Sequence, residues 1–75
     1  MIKNEKQDIS RRIMHYKNGQ VWSEGFSLNG VIHGKNTVYN KDGTICFIQW
    51  FDQQHLNTEE QFREKHPKFY TRYCK

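Results

Sequence analysis

The sequence predicts a mainly β domain of α+β type, a four- to five-stranded antiparallel meander followed by a short C-terminal helix. Three observations carry that expectation. Asn18-Gly19, Asn29-Gly30 and Asp42-Gly43 punctuate the middle of the chain, and these dipeptides supply the positive φ angles that tight hairpins need. β-branched and aromatic residues fill the stretches between them, as pleated, half-buried strands favour. A polar segment with helix-start chemistry then runs into the only proline, Pro67.

The strands are expected at residues 12–16, 20–28, 35–39 and 44–51. In the second, Trp22, Phe26 and Leu28 share one side, but Glu24 falls among them, which predicts a bulge or an edge position. The fourth differs. Ile45, Phe47 and Phe51 alternate with Cys46, Ile48 and Trp50, so both of its faces are apolar. One face covers the core. The other must be capped by the terminal segments, buried against another copy, or left for a partner. A helix is expected at residues 58–66, because Asn57 or Thr58 can cap it and Glu59 and Glu60 suit its positive end. Pro67 ends it. The remaining segment, 67–75, reads as an extended basic and aromatic arm.

Seventy-five residues make one domain, divided into a basic segment 1–14, the hairpins 15–57, the helix 58–66 and the tail 67–75. A chain this short buries only about 60% of its unfolded surface, so its core is small. Aromatic residues at 15% let a few large rings supply it and argue against disorder. Cys46 and Cys74 are too few for a disulfide-stapled secreted domain, so reduced thiols and a cytoplasmic location are the expectation, with a Cys46–Cys74 bridge left open. No apolar run approaches the roughly 20 residues of a membrane-spanning helix, and the N-terminus lacks the apolar stretch of a signal peptide. The net charge of +4 resides at the two ends. Lys3, Lys6, Arg11 and Arg12 outweigh Glu5 and Asp8, while Lys65, Lys68, Arg72 and Lys75 crowd the last eleven residues.

Read together, Glu24-Gly25-Phe26-Ser27-Leu28-Asn29-Gly30-Val31-Ile32-His33-Gly34 resembles a MORN repeat, whose pattern is close to Tyr-x-Gly-x-x-x-x-Gly-x-x-x-Gly. Val38-Tyr39-Asn40-Lys41-Asp42-Gly43 resembles the second hairpin strand and its exit loop, and Tyr16-Lys17-Asn18-Gly19-Gln20 resembles a variant repeat of some bacterial and phage proteins. On this reading the period is 23 residues, matching Asn29 to Asp52 and His33 to Leu56, with Gln53 and Asn57 standing where Gly30 and Gly34 stood. The resemblance covers residues 15–57. It implies one-hairpin units that stack, and a scaffolding, protein-binding or lipid-surface role rather than catalysis. It also suggests a phage or mobile-element accessory protein that inhibits a bacterial host or defence protein.

The candidate sites follow. His15, His33, His55, His66, Cys46 and Cys74 show neither Cys-x-x-Cys nor His-x₃₋₅-His spacing, so they read as ordinary turn and surface residues and no metal or cofactor is expected. Cys46 lies mid-strand, Cys74 lies in the tail, and Asp42 belongs to its turn; no catalytic set is expected and the chain reads as a non-enzyme. Protein binding is the leading expectation, through an aromatic sheet face drawn from Trp22, Phe47, Trp50, Phe51 and Tyr39. Self-association is another use for the same face. The alternative is single-stranded nucleic-acid binding by the tail, where Lys65, Lys68, Arg72 and Lys75 interleave with Tyr70 and Tyr73. A membrane surface is the weakest of the partners considered, since no basic amphipathic helix supports it.

Overall fold

The computed structural model describes residues 8–74. Six strands, β1 (Ile9–His15), β2 (Val21–Leu28), β3 (Val31–Ile32), β4 (Gly34–Tyr39), β5 (Ile45–Asp52) and β6 (His55–Asn57), form one antiparallel sheet in the order β1-β2-β4-β5-β6, with β3 paired to β2. The four expected strands are present to within a few residues of their expected limits. The two short ones, β3 and β6, are the return legs of tight turns. Asn29 and Gly30 have φ of 53° and 85° between the paired Leu28 and Val31, the positive pair that an Asn-Gly hairpin requires.

The hairpins repeat every 24 residues rather than the 23 expected. The Tyr16–Gln20 turn, closed by Tyr16 N–H to Gln20 O and Gly19 N–H to Tyr16 O, recurs as Asn40–Thr44, closed by Asn40 N–H to Thr44 O and Gly43 N–H to Asn40 O. Within each, an Asx side chain accepts the N–H two residues on: Asn18 Oδ1 from Gln20 at 2.9 Å, and Asp42 Oδ1 from Thr44 at 3.0 Å. β2 maps onto β5, and the Asn29-Gly30 turn onto Gln53-Gln54. The physical reason favours an even number. Side chains alternate with period two, so an odd offset turns every equivalent residue to the opposite face. An offset of 24 keeps Phe26 and Trp50 on one side.

That side carries the helical layer. Helix α1 (Glu59–Lys65) opens on a full capping box: Thr58 accepts from Gln61 N–H, and the Gln61 side chain accepts from Thr58 N–H. His66 closes it. The expected extended arm is instead helical, as α2 (Pro67–Phe69) followed by a wide π turn (Tyr70–Cys74). Pro67 ends one helix and begins the next, because its fixed φ and missing N–H suit a first helical position. Phe62, His66, Phe69, Tyr70 and Tyr73 recur every three to four residues, a helical rather than an alternating pattern. This stripe packs on the sheet. Phe62 is fully buried against Trp50, with ring centroids 5.7 Å apart, and Tyr70 stacks on Trp50 at 5.6 Å. Phe26 meets Phe69 at 6.2 Å and Tyr73 at 5.3 Å. Gly34, at φ 92°, completes the fit, since a Cβ there would stand 2.8 Å from the Phe69 ring.

Several expectations change as a result. Cys74 is a buried core residue instead of part of a loose tail, and both cysteines are free thiols. His33 is 1% exposed, where a turn or surface histidine was expected. Of the two readings for Glu24 the edge is excluded, because β2 lies between β1 and β4, and the bulge is present in β2 but two residues away, at Trp22. The Glu24 carboxylate accepts the Tyr39 hydroxyl at 2.8 Å and faces Arg11 at 3.6 Å. The bulged residues are Trp22, skipped between the Met14–Ser23 and His15–Val21 pairs, and Cys46, skipped between the Val38–Phe47 and Tyr39–Ile45 pairs. Trp22 therefore does not share a side with Phe26 and Leu28 as expected, and stands beside Met14 and Phe47 on the other face.

Two stability predictions follow from this core and its turns. Phe62→Ala removes a fully buried phenyl ring, so a loss of about 3–5 kcal/mol is expected in urea unfolding, enough to unfold much of so small a domain. Gln53 and Gln54 sit at φ 48° and 84°, where a side chain is strained. The pair of substitutions Gln53→Asn and Gln54→Gly should raise stability by about 1 kcal/mol, seen as a higher urea midpoint at unchanged slope.

Candidate functional site

The helical layer covers only part of the sheet. It sits over β4 and the C-terminal half of β5, around Trp50, and leaves the opposite end bare. Ile13, Met14, Trp22, Ile45, Phe47 and Ile48 are all exposed there, and Phe47 is 47% accessible. The protein is elongated for the same reason, 49 × 27 × 20 Å with a radius of gyration of 13.8 Å, against about 11 Å for a compact chain of this length.

On the face turned away from the helices, one cross-strand row runs Met14, Ser23, Val38, Phe47. Met14, Trp22, Val38 and Phe47 line a shallow cavity of about 520 Å³, with Tyr16 and Tyr39 also contributing to its wall. The Tyr16 and Trp22 rings lie 6.3 Å apart, and the Tyr16 hydroxyl donates to the Tyr39 carbonyl at 2.7 Å. Tyr39 is held in turn by Glu24, and that hydrogen bond from its hydroxyl to a carboxylate pushes its pKa up. The polar rim is also ordered. Asn36 lies over Gly25, where a Cβ would come within 2.7 Å of its Oδ1, and donates to Gln49 at 3.4 Å. Arg12 lines the cavity on the β1 side. An apolar floor with a few fixed polar groups is the composition of a binding surface.

The structure places the expected binding residues differently from one another. Trp22 and Phe47 are exposed at this cavity, Tyr39 is half-buried in its wall, and Phe51 is half-buried opposite Gly34 and Leu56. Trp50 is not a surface residue. At 8% exposure it lies beneath Phe62 and Tyr70, because alternation along β5 turns it to the face that the helices cover. The sequence reading missed Met14, Val38 and Arg12. Their signal lay in register, which brings four separate strands to one spot.

The tail residues also separate. Tyr70 and Tyr73 are half-buried, with Tyr70 stacked on Trp50 and its hydroxyl donated to Glu59 at 2.6 Å. Lys68 and Arg72 are exposed, and Lys65 reaches Asp52 at 3.4 Å. Lys75 lies outside the described residues.

A second cluster surrounds His33. Its ring lies 4.8 Å from that of His66, whose Nε2 is 2.9 Å from Asp52. Its Nδ1 accepts the Gln53 N–H at 3.0 Å, which fixes the neutral ring with its proton on Nε2. Burial first, and then the neighbouring His66, push the His33 pKa below 6.5, against a weaker opposite pull from Asp52. The hydrogen bond from His66 holds Asp52 below the usual carboxylate range. Such a carboxylate–imidazole pair can orient a base. Among the described residues, however, neither imidazole hydrogen-bonds a hydroxyl or thiol. The Cys74 thiol is pushed up by burial, which favours its unreactive form. Among the described residues no three His, Cys, Asp or Glu side chains converge as a metal site, and no helix is long and apolar enough to cross a membrane.

Fold and site together define a class: a 24-residue hairpin-repeat sheet, half covered by a helical layer, with an apolar cavity on its bare end. Comparison with family models, with curated proteins and with solved structures finds no match.

The buried imidazole sets an acid response. Above pH 6.5 His33 is neutral in both the folded and unfolded chains and adds nothing. Below 6.5 the unfolded chain takes up a proton that the folded one resists, so stability falls until the pH reaches the lowered folded pKa. The Asp52 contribution is lost later, below pH 3.8, as its lowered folded pKa is crossed. Urea midpoints should therefore decline on acidification from pH 7 to 5, and histidine-selective nitrogen NMR should show His33 protonated on Nε2 alone.

Proposed function

We propose that this protein is a non-catalytic binding module that docks a protein partner through the bare end of its sheet. The observation that carries the reading is the set of exposed apolar side chains Met14, Trp22 and Phe47 around one cavity, on the face opposite the helical layer. Such a cluster is costly to leave in water. Aromatic anchors at the centre of a polar rim are also the side chains from which interfaces draw most of their energy.

The MORN-type likeness supports the narrower reading, a phage-type stoichiometric inhibitor of a bacterial host or defence protein. The nucleic-acid alternative has less support. The tail keeps exposed Lys68 and Arg72, but Tyr70 and Tyr73 are half-buried and engaged in packing, which reduces the ring surface they offer to bases.

The test is quantitative capture from a bacterial lysate by wild-type protein and by Trp22→Ala, Phe47→Ala and Lys68→Ala/Arg72→Ala variants. Trp22→Ala and Phe47→Ala should each weaken a specific captured protein by about 30-fold, the size of a hot-spot loss, with near-native urea midpoints. The tail variant should capture as the wild type does. Equal capture by all variants removes the proposal. Trp50→Ala is expected to lose capture only by losing the fold.

A further inference from the structure

The internal repeat shows what the outer edge of β1 is built to accept. Residues of β1 and β4 correspond at an offset of 24: Ile13 to Thr37, Arg12 to Asn36, Met14 to Val38. β4 has a strand on each side, β2 and β5, whereas among the described residues β1 pairs only with β2. Among the described residues, the position beside β1 that corresponds to β2 beside β4 is therefore open.

The phase of its hydrogen bonds is fixed. Asp8 accepts Asn29 N–H at 2.8 Å and gives its own N–H to Asn29 Oδ1 at 3.0 Å, so its main chain points toward β2. Main-chain direction alternates along an antiparallel strand. Ser10, Arg12 and Met14 therefore bond to β2, while Ile9, Arg11 and Ile13 turn their N–H and C=O groups outward. The repeat agrees: His33, the counterpart of Ile9, donates its N–H to Phe26 on the corresponding side of β4.

We infer that the outer edge of β1 captures an extended acidic segment of the partner as an added antiparallel strand, with an apolar side chain seated in the Met14–Trp22–Phe47 cavity. This inference rests on the proposed protein-binding role and specifies its mode. Charge selects the occupant. β1 presents Arg11 and Arg12 in succession, on opposite faces and both exposed. A second copy pairing antiparallel through β1 and centred on Arg11 or Arg12 would set arginine against arginine, and like charges placed opposite each other are destabilising. An acidic strand meets the opposite situation. Glu24 of β2 already shows the contact, 3.6 Å from Arg11. Read in its own direction, the captured strand places an apolar residue opposite Met14, a β-branched one opposite Ile13, and acidic residues opposite Arg12 and Arg11. Main-chain bonds then supply affinity and the alternate side chains specificity.

The test uses the full chain and a blocked synthetic peptide with the core Trp-Val-Glu-Glu flanked by threonines. On titration, amide exchange of Ile9, Arg11 and Ile13 should slow, while the Met14, Trp22 and Phe47 resonances shift. Methylating the peptide nitrogens that face β1 should abolish both effects. Changing the first peptide glutamate to lysine should weaken binding about threefold, and Arg12→Glu should restore it, as expected of one cross-strand pair. Shifts at the cavity without protection of the three amides overturn strand addition and leave the binding proposal standing. Protection that rises with protein concentration in the absence of peptide overturns it in favour of self-pairing. No response at millimolar peptide overturns it outright, and the lysate experiment decides separately whether the cavity binds a protein.

Discussion

Everything in this fold depends on one burial event, the seating of Phe62 between Trp50 and the rings that follow it. The sheet alone has no inside. One curved layer of hairpins leaves both of its faces in water, and a layer becomes stable only when another covers it. Here the cover is one short capped helix and the helical tail behind it, held by Phe62, Phe69, Tyr70 and Tyr73 against Phe26 and Trp50. His33 belongs to the same cluster, since its ring meets both Phe62 and Phe69. The C-terminal third is thus the second half of the core.

The limited reach of that cover creates the candidate site. A layer of this length shelters one end of the sheet, and the strands continue beyond it. Side chains of the kind that fill cores, among them Trp22 and Phe47, stay exposed beside a ladder edge that is open among the described residues. Stability and binding therefore occupy opposite ends of the molecule. Substitutions at the bare end leave the aromatic cluster intact, so the two properties are separable by mutation.

Much of the sheet was legible in the sequence because its determinants are local. Asn18-Gly19, Asn29-Gly30 and Asp42-Gly43 dictate turns by their own backbone preferences, and the strands between them follow. Thr58 through Gln61 announced the helix in the same way. The cores of the misreadings were not local. Trp50 looked like a surface anchor because β5 is apolar on both faces, and its neighbours alone do not say which face the tail will cover. The tail looked extended because Pro67 reads as a terminus, although the three-to-four-residue spacing from Phe62 to Tyr73 was there to be counted. His33 became a core residue only through a partner twenty positions away, the Gln53 N–H. The site was half legible: Trp22 and Phe47 stand out by type, whereas Met14, Val38 and Arg12 join them only once register is known.

The seam between the hairpin units is narrow. β2 and β4 share a short ladder, Ser23–Val38 and Glu24–Thr37, flanked by the His33 N–H to Phe26 bond and the Tyr39 hydroxyl on Glu24, while β1–β2 and β4–β5 are paired along most of their lengths. A protein assembled in this way grows by whole modules. An extra hairpin inserted at the seam would leave every existing side chain on its own face and ask only this short seam to form anew. Descendants of such a chain can lengthen their sheet, and with it the surface they offer, without redesigning the aromatic cluster that keeps them folded.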